Sequence, residues 1–244
     1  METTGEKRVT PPVYVFQIPV RIWHWLHALS ITTLVVTGYF IAAPLPSVSG
    51  EASDHFVMGT FRLVHFTSAF IFAIGLVVRV YLAIACNRFS RELLIVPVLH
   101  RHFWELVWDE IKFYAFMSRK AGKYVGHNPL AQIFMWLANV VLALFMVCTG
   151  FALYSQGTGA GSWADSLFGW VFALEASSQT VRMWHLMGMW LMVTFIIIHI
   201  YMAIRADFAS RQNGVSAMIS GWRTFKDDGP IDTRRGISNE QPEP

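Results

Sequence analysis

One stretch, Val181 to Ile204, reads VRMWHLMGMWLMVTFIIIHIYMAI and leaves this chain few ways to fold. Its 24 nearly unbroken apolar residues are long enough to cross a bilayer as a helix, yet they carry His185 and His199 near the two ends. The 14 residues between the histidines rise roughly 21 Å on a helix and turn through about 1,400°, within about 40° of four full turns. Both imidazoles therefore lie on one face, at opposite membrane depths. The helix offers one ligand position near each membrane surface.

Three further stretches share that length and apolarity: Ile22 to Ala43, Arg62 to Cys86 and Leu130 to Tyr154. In lipid the backbone must satisfy its own hydrogen bonds, so each reads as a helix and not a strand. Hydrophobic residues make up 54% of the 244 and charged residues 14%, a balance that places the chain among integral membrane proteins. The expected fold is all-α, an integral membrane four-helix bundle over 22–204, with a leader at 1–21 and a polar, poorly ordered tail at 205–244.

Charge orients the bundle. The links Pro44–Phe61 and Ser155–Thr180 contain no Lys or Arg, whereas the middle loop 87–129 holds seven and the tail from Arg205 six. By the positive-inside rule both termini and the middle loop are cytoplasmic. The first apolar run follows a polar, Pro-containing leader and is too long for a signal-peptide core, so it is expected to stay as the first span.

Depth then sorts the histidines. The first span opens VRIWHWLH and runs outward, so His24 is inner; the second opens FRLVHF and runs inward, so His65 is outer. The fourth span also runs inward, which makes His185 outer and His199 inner. Depth thus pairs His65 with His185, and His24 with His199. A single histidine in a span reads either as a site or as a packing residue bonded to a neighbouring helix. Four that match in depth and face point to ligation of something large. His27, one turn after His24, reads as a packing or hydrogen-bonding residue, and His55, His100 and His102 as loop or interface residues.

Arg21, Arg62 and Arg182 each precede a proposed ligand by three residues, which puts cation and imidazole on one helix face. For Arg21, membrane-edge anchoring is the alternative to pairing with an anionic group near its ligand. Arg62 and Arg182, however, lie on the side otherwise free of Lys and Arg and require an anion there. Haem propionates supply that charge, as a bare zinc or copper ion does not. The same 14-residue period sets Gly38 at outer depth, where a porphyrin can approach the backbone, and Arg79 at inner depth, to pair with the inner propionates. Gly75, Gly150 and Gly188 read equally as similar clearance or as close helix packing. The expected cofactors are two b-type haems. With both axial positions taken by imidazole, the iron keeps no open site, so its role is electron transfer. Cys86 and Cys148 fall in spans at opposite depths and are not expected to pair, and no CxxCH offers covalent haem attachment.

Two loops carry structure of their own. Residues 101–118 place Trp104, Val107, Trp108 and Ile111 at helical spacing opposite Glu105, Asp109 and Lys112, an amphipathic helix lying on the cytoplasmic interface. The link 155–180 contains SWADSLFGWVFALEASS, too short to span, and reads as an interfacial helix or a docking surface for a partner. GHNPLAQ, 126–132, marks a turn into the third span.

Taken together, VRIWHW, GYFIAAPLPSVSGEA, RLVHF, SRELLIVPV, GHNPLAQ, GFALYS and WHLMGMW…IIIHIYMAIR resemble the cytochrome b subunit of membrane-bound nickel-iron uptake hydrogenases, from about Val13 to Arg223. The last pattern alone is similar to the wider di-haem cytochrome b superfamily. The resemblance implies a bacterial inner-membrane subunit that binds two b haems on His24, His65, His185 and His199. It also implies an anchor for the hydrogenase small and large subunits on the periplasmic side, a route for electrons from hydrogen to the quinone pool, and room for a higher oligomer. By similarity to the formate dehydrogenase membrane subunit, the quinone lies at the cytoplasmic side beside the turn into the third span. His127, Asn128 and Gln132 are then candidate partners for its carbonyls, the alternative being an Asn-Pro turn with a structural Gln. The chain has no CxxC pair, so hydrogen chemistry falls to a partner. The surface it meets is lipid and not nucleic acid. Two rival readings stand beside this one: the membrane subunit of a formate dehydrogenase or similar reductase, and a histidine-lined metal-ion transporter.

Overall fold

The computed structural model describes residues 12–46, 50–51, 55–119, 122–175, 177–210 and 213–225. Four long helical stretches dominate it. They are α1 (Ile18–Ala42), α2 (Val57–Ala85), a third running from α5 (Pro129–Trp136) through a π-helical turn (Leu137–Leu142) into α6 (Ala143–Thr158), and α9 (Ser178–Ser210). Each is long and apolar enough to cross a membrane, as a helical membrane bundle requires. Each also outruns its expected span by several residues at one end or both, because helical hydrogen bonding continues where the apolar run stops. Large apolar side chains on these helices face outward, Val77 and Ile84 among them, as lipid-facing positions do.

Hydroxyls in α1 are satisfied within the helix. Ser30, Thr32, Thr33 and Thr37 each donate to the carbonyl four residues back. Several helix starts are capped by side chains. Asn128 Oδ1 accepts from Ala131 N at 2.6 Å ahead of α5, which opens on Pro129, and Ser162 Oγ accepts from Asp165 N ahead of α7 (Trp163–Phe168). With α8 (Trp170–Glu175), α7 fills the link expected to hold an interfacial helix.

The described residues fall into two compact units. Among them, one unit runs through 12–22, 80–136 and 197–225, the other through 23–79 and 137–196. The first holds α3 (Arg88–Arg91), the amphipathic α4 (Arg101–Tyr114) and α10 (Gly214–Ser220). It also holds a two-stranded antiparallel sheet in which β1 (Val13–Tyr14) pairs with β2 (Trp222–Arg223), Val13 opposite Arg223. Helix α4 stops four residues before the expected 118, and Phe116 then takes φ 62°.

A poorly ordered tail does not describe residues 213–225. Val15, Phe16, Phe89, Val125, Ala217 and Phe225 form a buried cluster to which leader, middle loop and tail all contribute. Gly221, at φ 88°, lets the tail turn here; a Cβ would strike the Tyr14 ring and the Phe16 carbonyl. Its carbonyl accepts from Val15 N and Phe16 N. Asn87 Nδ2 donates to Val15 O at 2.9 Å, and Arg223 Nη1 to Gly126 O at 2.9 Å. Burial pushes the Arg223 guanidinium below its usual range, against the opposing pull of Asp207 and Glu92. The remaining expected tail, 226–244, lies outside the described residues.

The second unit packs α6 against α7, α8 and α9. Ala152, Val171 and Val181 form a buried cluster there, with Phe168 and Phe172 against it. Phe70, Phe151, Tyr154 and Trp163 stack around one another at centroid separations of 5.1 to 6.3 Å.

Candidate functional site

His65 and His185, the pair expected at outer depth, both lie in the second unit, on α2 and α9. Each ring is held in the same way. Thr37 Oγ1 lies 2.8 Å from His65 Nδ1, and Thr149 Oγ1 lies 2.8 Å from His185 Nδ1. Each threonine hydroxyl already donates to the carbonyl four residues back, Thr37 to Thr33 O at 2.7 Å and Thr149 to Phe145 O at 2.8 Å. A hydroxyl has one proton to give, so towards the imidazole it accepts. The hydrogen-bond network therefore assigns the proton to Nδ1 in both rings and leaves each Nε2 with its lone pair.

A glycine follows each threonine and makes room for the ring. A Cβ on Gly38 would meet His65 Cε1 at 3.2 Å, and one on Gly150 would meet His185 Cε1 at 3.1 Å. Gly38 was expected to face a porphyrin; it faces the imidazole of the proposed ligand. Met189, one turn after His185, reaches the same Gly38, and the two imidazoles lie within electrostatic range of each other. The sequence reading missed Thr37 and Thr149, although the repeated Thr-Gly pair was visible in it.

These residues fit a haem. Two imidazoles oriented through Nδ1 and offering Nε2 are the donor set of a bis-histidine iron. Among the described residues, no group of three or more His, Cys, Asp or Glu is placed to hold a bare metal ion. Arg62 and Arg182, expected at the propionates, are exposed.

His24 lies in the second unit and His199 in the first, both half-buried. His27 is buried instead, with its ring between Trp23 and Phe72 at centroid distances of 4.8 and 4.5 Å. Gly75 clears space for it, its Cβ position lying 3.2 Å from His27 Nδ1. Arg79 is buried with its guanidinium 5.2 Å from the Trp23 ring centroid. Arg21 donates to Ile219 O. Gly188 packs α9 against Met146 and Phe145 of α6.

The three quinone candidates sit in the first unit, tied to protein groups. His127 Nδ1 lies 3.1 Å from Glu92 Oε2, the same carboxylate oxygen that accepts its backbone N–H at 2.9 Å. Gly126 permits this approach, since a Cβ there would overlap the Glu92 carboxylate. Asn128 caps α5. Gln132, 1% exposed, donates through Nε2 to Glu92 O and to Ile95 O at 3.0 Å, so it ties the middle loop to α5. Of the three, His127 lies within electrostatic range of His199.

A family model described as prokaryotic cytochrome b561 matches residues 15–221. Among curated relatives, the "probable Ni/Fe-hydrogenase B-type cytochrome subunit" of Azotobacter vinelandii is 51% identical over 218 residues, covering 89% of this chain and 91% of its own. That of Cupriavidus necator is 50% identical over 214 residues, 88% of each chain. The "probable Ni/Fe-hydrogenase 1 B-type cytochrome subunit" of Escherichia coli K12 is 44% identical over 218 residues, 87% of this chain and 91% of its own.

Proposed function

This chain belongs to the prokaryotic cytochrome b561 family, and on that premise we propose that it is the b-type cytochrome subunit of a membrane-bound nickel-iron hydrogenase, passing electrons from hydrogen oxidation to the membrane quinone pool. The observation that carries the reading is the pair His65 and His185, each fixed through Nδ1 by a buried threonine and each left with Nε2 as a donor. The names and coverage of the relatives support the hydrogenase as partner.

Haem, when bound, would supply a reversible one-electron iron couple. The protein's part is to hold and orient it. His65 and His185 hold an outer haem, and depth in the sequence pairs His24 with His199 for an inner one. Arg62 and Arg182 pair with the outer propionates, Arg79 and Arg21 with the inner. Gly38 and Gly150 keep the outer ligand rings close to the helix backbones. Near the inner side, His127 is the proposed hydrogen-bond partner of a quinone carbonyl, with Asn128 and Gln132 setting the turn that presents it.

The hydrogenase small and large subunits dock on the side of the links 44–61 and 155–180, the bacterial periplasm, and both termini are cytoplasmic. Quinone reduced at the inner side takes its protons from the cytoplasm, so hydrogen oxidation outside builds a proton-motive force.

Purification of the complex tests this. Two b haems per chain, a b-type reduced-minus-oxidised spectrum, and reduction of that band by hydrogen are expected. A colourless chain, or one that copurifies with a molybdenum enzyme and not with a nickel-iron dimer, overturns the reading. A quinone analogue that photolabels the outer links and not the segment around His127 overturns the placement of the quinone.

A further inference from the structure

We infer that Thr37 and Thr149 are positioning residues that fix the tautomer and ring plane of His65 and His185, and so tune the redox potential of the haem between them. The inference rests on the assignment of these histidines as axial ligands. It goes beyond that assignment by naming residues that touch neither iron nor porphyrin in their role.

The geometry repeats in two separate helix pairs. Helix α1 serves α2 through Thr37-Gly38, and α6 serves α9 through Thr149-Gly150. In both the hydroxyl-to-Nδ1 distance is 2.8 Å. In both the glycine stands within 3.1 to 3.2 Å, by its Cβ position, of Cε1 of the same ring. Both threonines are 5% exposed, which keeps water from competing for the bond. Glycine admits the ring and threonine holds it by one edge.

The chemistry follows from which partner donates. Because the threonine proton is committed to the helix carbonyl, the imidazole must donate Nδ1–H, and this bond makes Nε2 more basic. A more basic axial ligand stabilises the more highly charged, oxidised iron. Each threonine therefore lowers the potential of the haem held by His65 and His185, and two acting on opposite ligands lower it twice.

Valine keeps the shape of threonine and loses the hydroxyl; serine keeps the hydroxyl and loses the methyl. The hydrogenase complex carrying Thr37→Val, Thr149→Val or both is solubilised in mild detergent and titrated through the b-band, with the low-spin iron followed by electron paramagnetic resonance. The expected result is an upward shift of one haem's midpoint potential in each valine variant and a larger shift in the double variant. The other haem's potential stays in place, and the g-values of the shifted haem change as its ligand planes relax. Haem retention on dialysis falls by about tenfold or more. Thr37→Ser and Thr149→Ser restore potential and retention.

A potential unmoved in the valine variants overturns the inference. Serine variants that behave as the valine variants do also overturn it, whether both shift alike or both lose haem, because methyl packing would then be what matters. The ligand assignment is tested separately by His65→Ala and His185→Ala. If these keep both haems, that assignment fails whatever the threonine variants do.

Discussion

A histidine in an apolar helix advertises itself, and a threonine does not. His185 and His199 stand out in the sequence because their 14-residue spacing fixes face and depth together, and because an ionisable group in lipid is costly enough to need a reason. Thr37 and Thr149 sit among residues that back-bond to their own helix, as Thr32 and Thr33 do, so nothing in their local sequence separates a ring holder from a satisfied hydroxyl. Only the neighbouring helix supplies the difference. Gly38 was legible as a place needing clearance, while the group requiring it was not, since the ring of His65 comes from another helix. At this scale His185→Ala should remove one haem and leave the other, read as half the b-type absorbance per chain. Retention of both would break the proposed pairing.

Elements were more legible than their ends. All four long helices follow from apolar length, since an apolar run that long satisfies its own backbone in lipid as a helix, and α4 follows from its helically spaced aromatics. The π-helical turn Leu137–Leu142 was not legible: LANVVL contains no Pro or Gly to mark a break, and such a turn depends on what the helix packs against. Close packing of α6 on α9 makes Gly188 sensitive. Its Cβ position lies 3.0 Å from the Phe145 ring and closer still to Met146 Sδ, so Gly188→Leu should cost about 1–3 kcal/mol, seen as a lower unfolding temperature in detergent with helix content kept in the folded state. Helix α4 contributes a pH dependence through Glu110. Burial raises its carboxyl above the usual range, with Asp109 adding to the rise and bonds from Tyr124 and the Gly122 backbone opposing it. The folded protein thus holds this proton more tightly than the unfolded chain does. Its stabilising effect is complete at low pH and is lost as pH rises through the raised value. Stability should decline across that window, and Glu110→Gln should flatten the decline. An equal decline in the variant would assign it to other groups.

At the scale of the whole molecule, hydropathy and charge gave the spans and an expected orientation but undervalued the polar ends. The tail read as loose because alone it has too little apolar surface to fold; Ala217 and Phe225 become part of a core only when Val15, Phe16, Phe89 and Val125 join them. Removing residues from Gly214 onward should therefore destabilise the unit that holds α3 and α4, measured as faster proteolysis of the middle loop in intact membranes. Unchanged cleavage would show that the tail is dispensable. The pairing of β1 with β2 carries a consequence for biosynthesis. Tyr14 is made early and must wait for Trp222, its partner 208 residues later, while the long helices between them are still entering the membrane. The strand closes only once residues 222 and 223 have been made. A product cut short before Trp222 would leave the Val13–Tyr14 edge without its antiparallel partner.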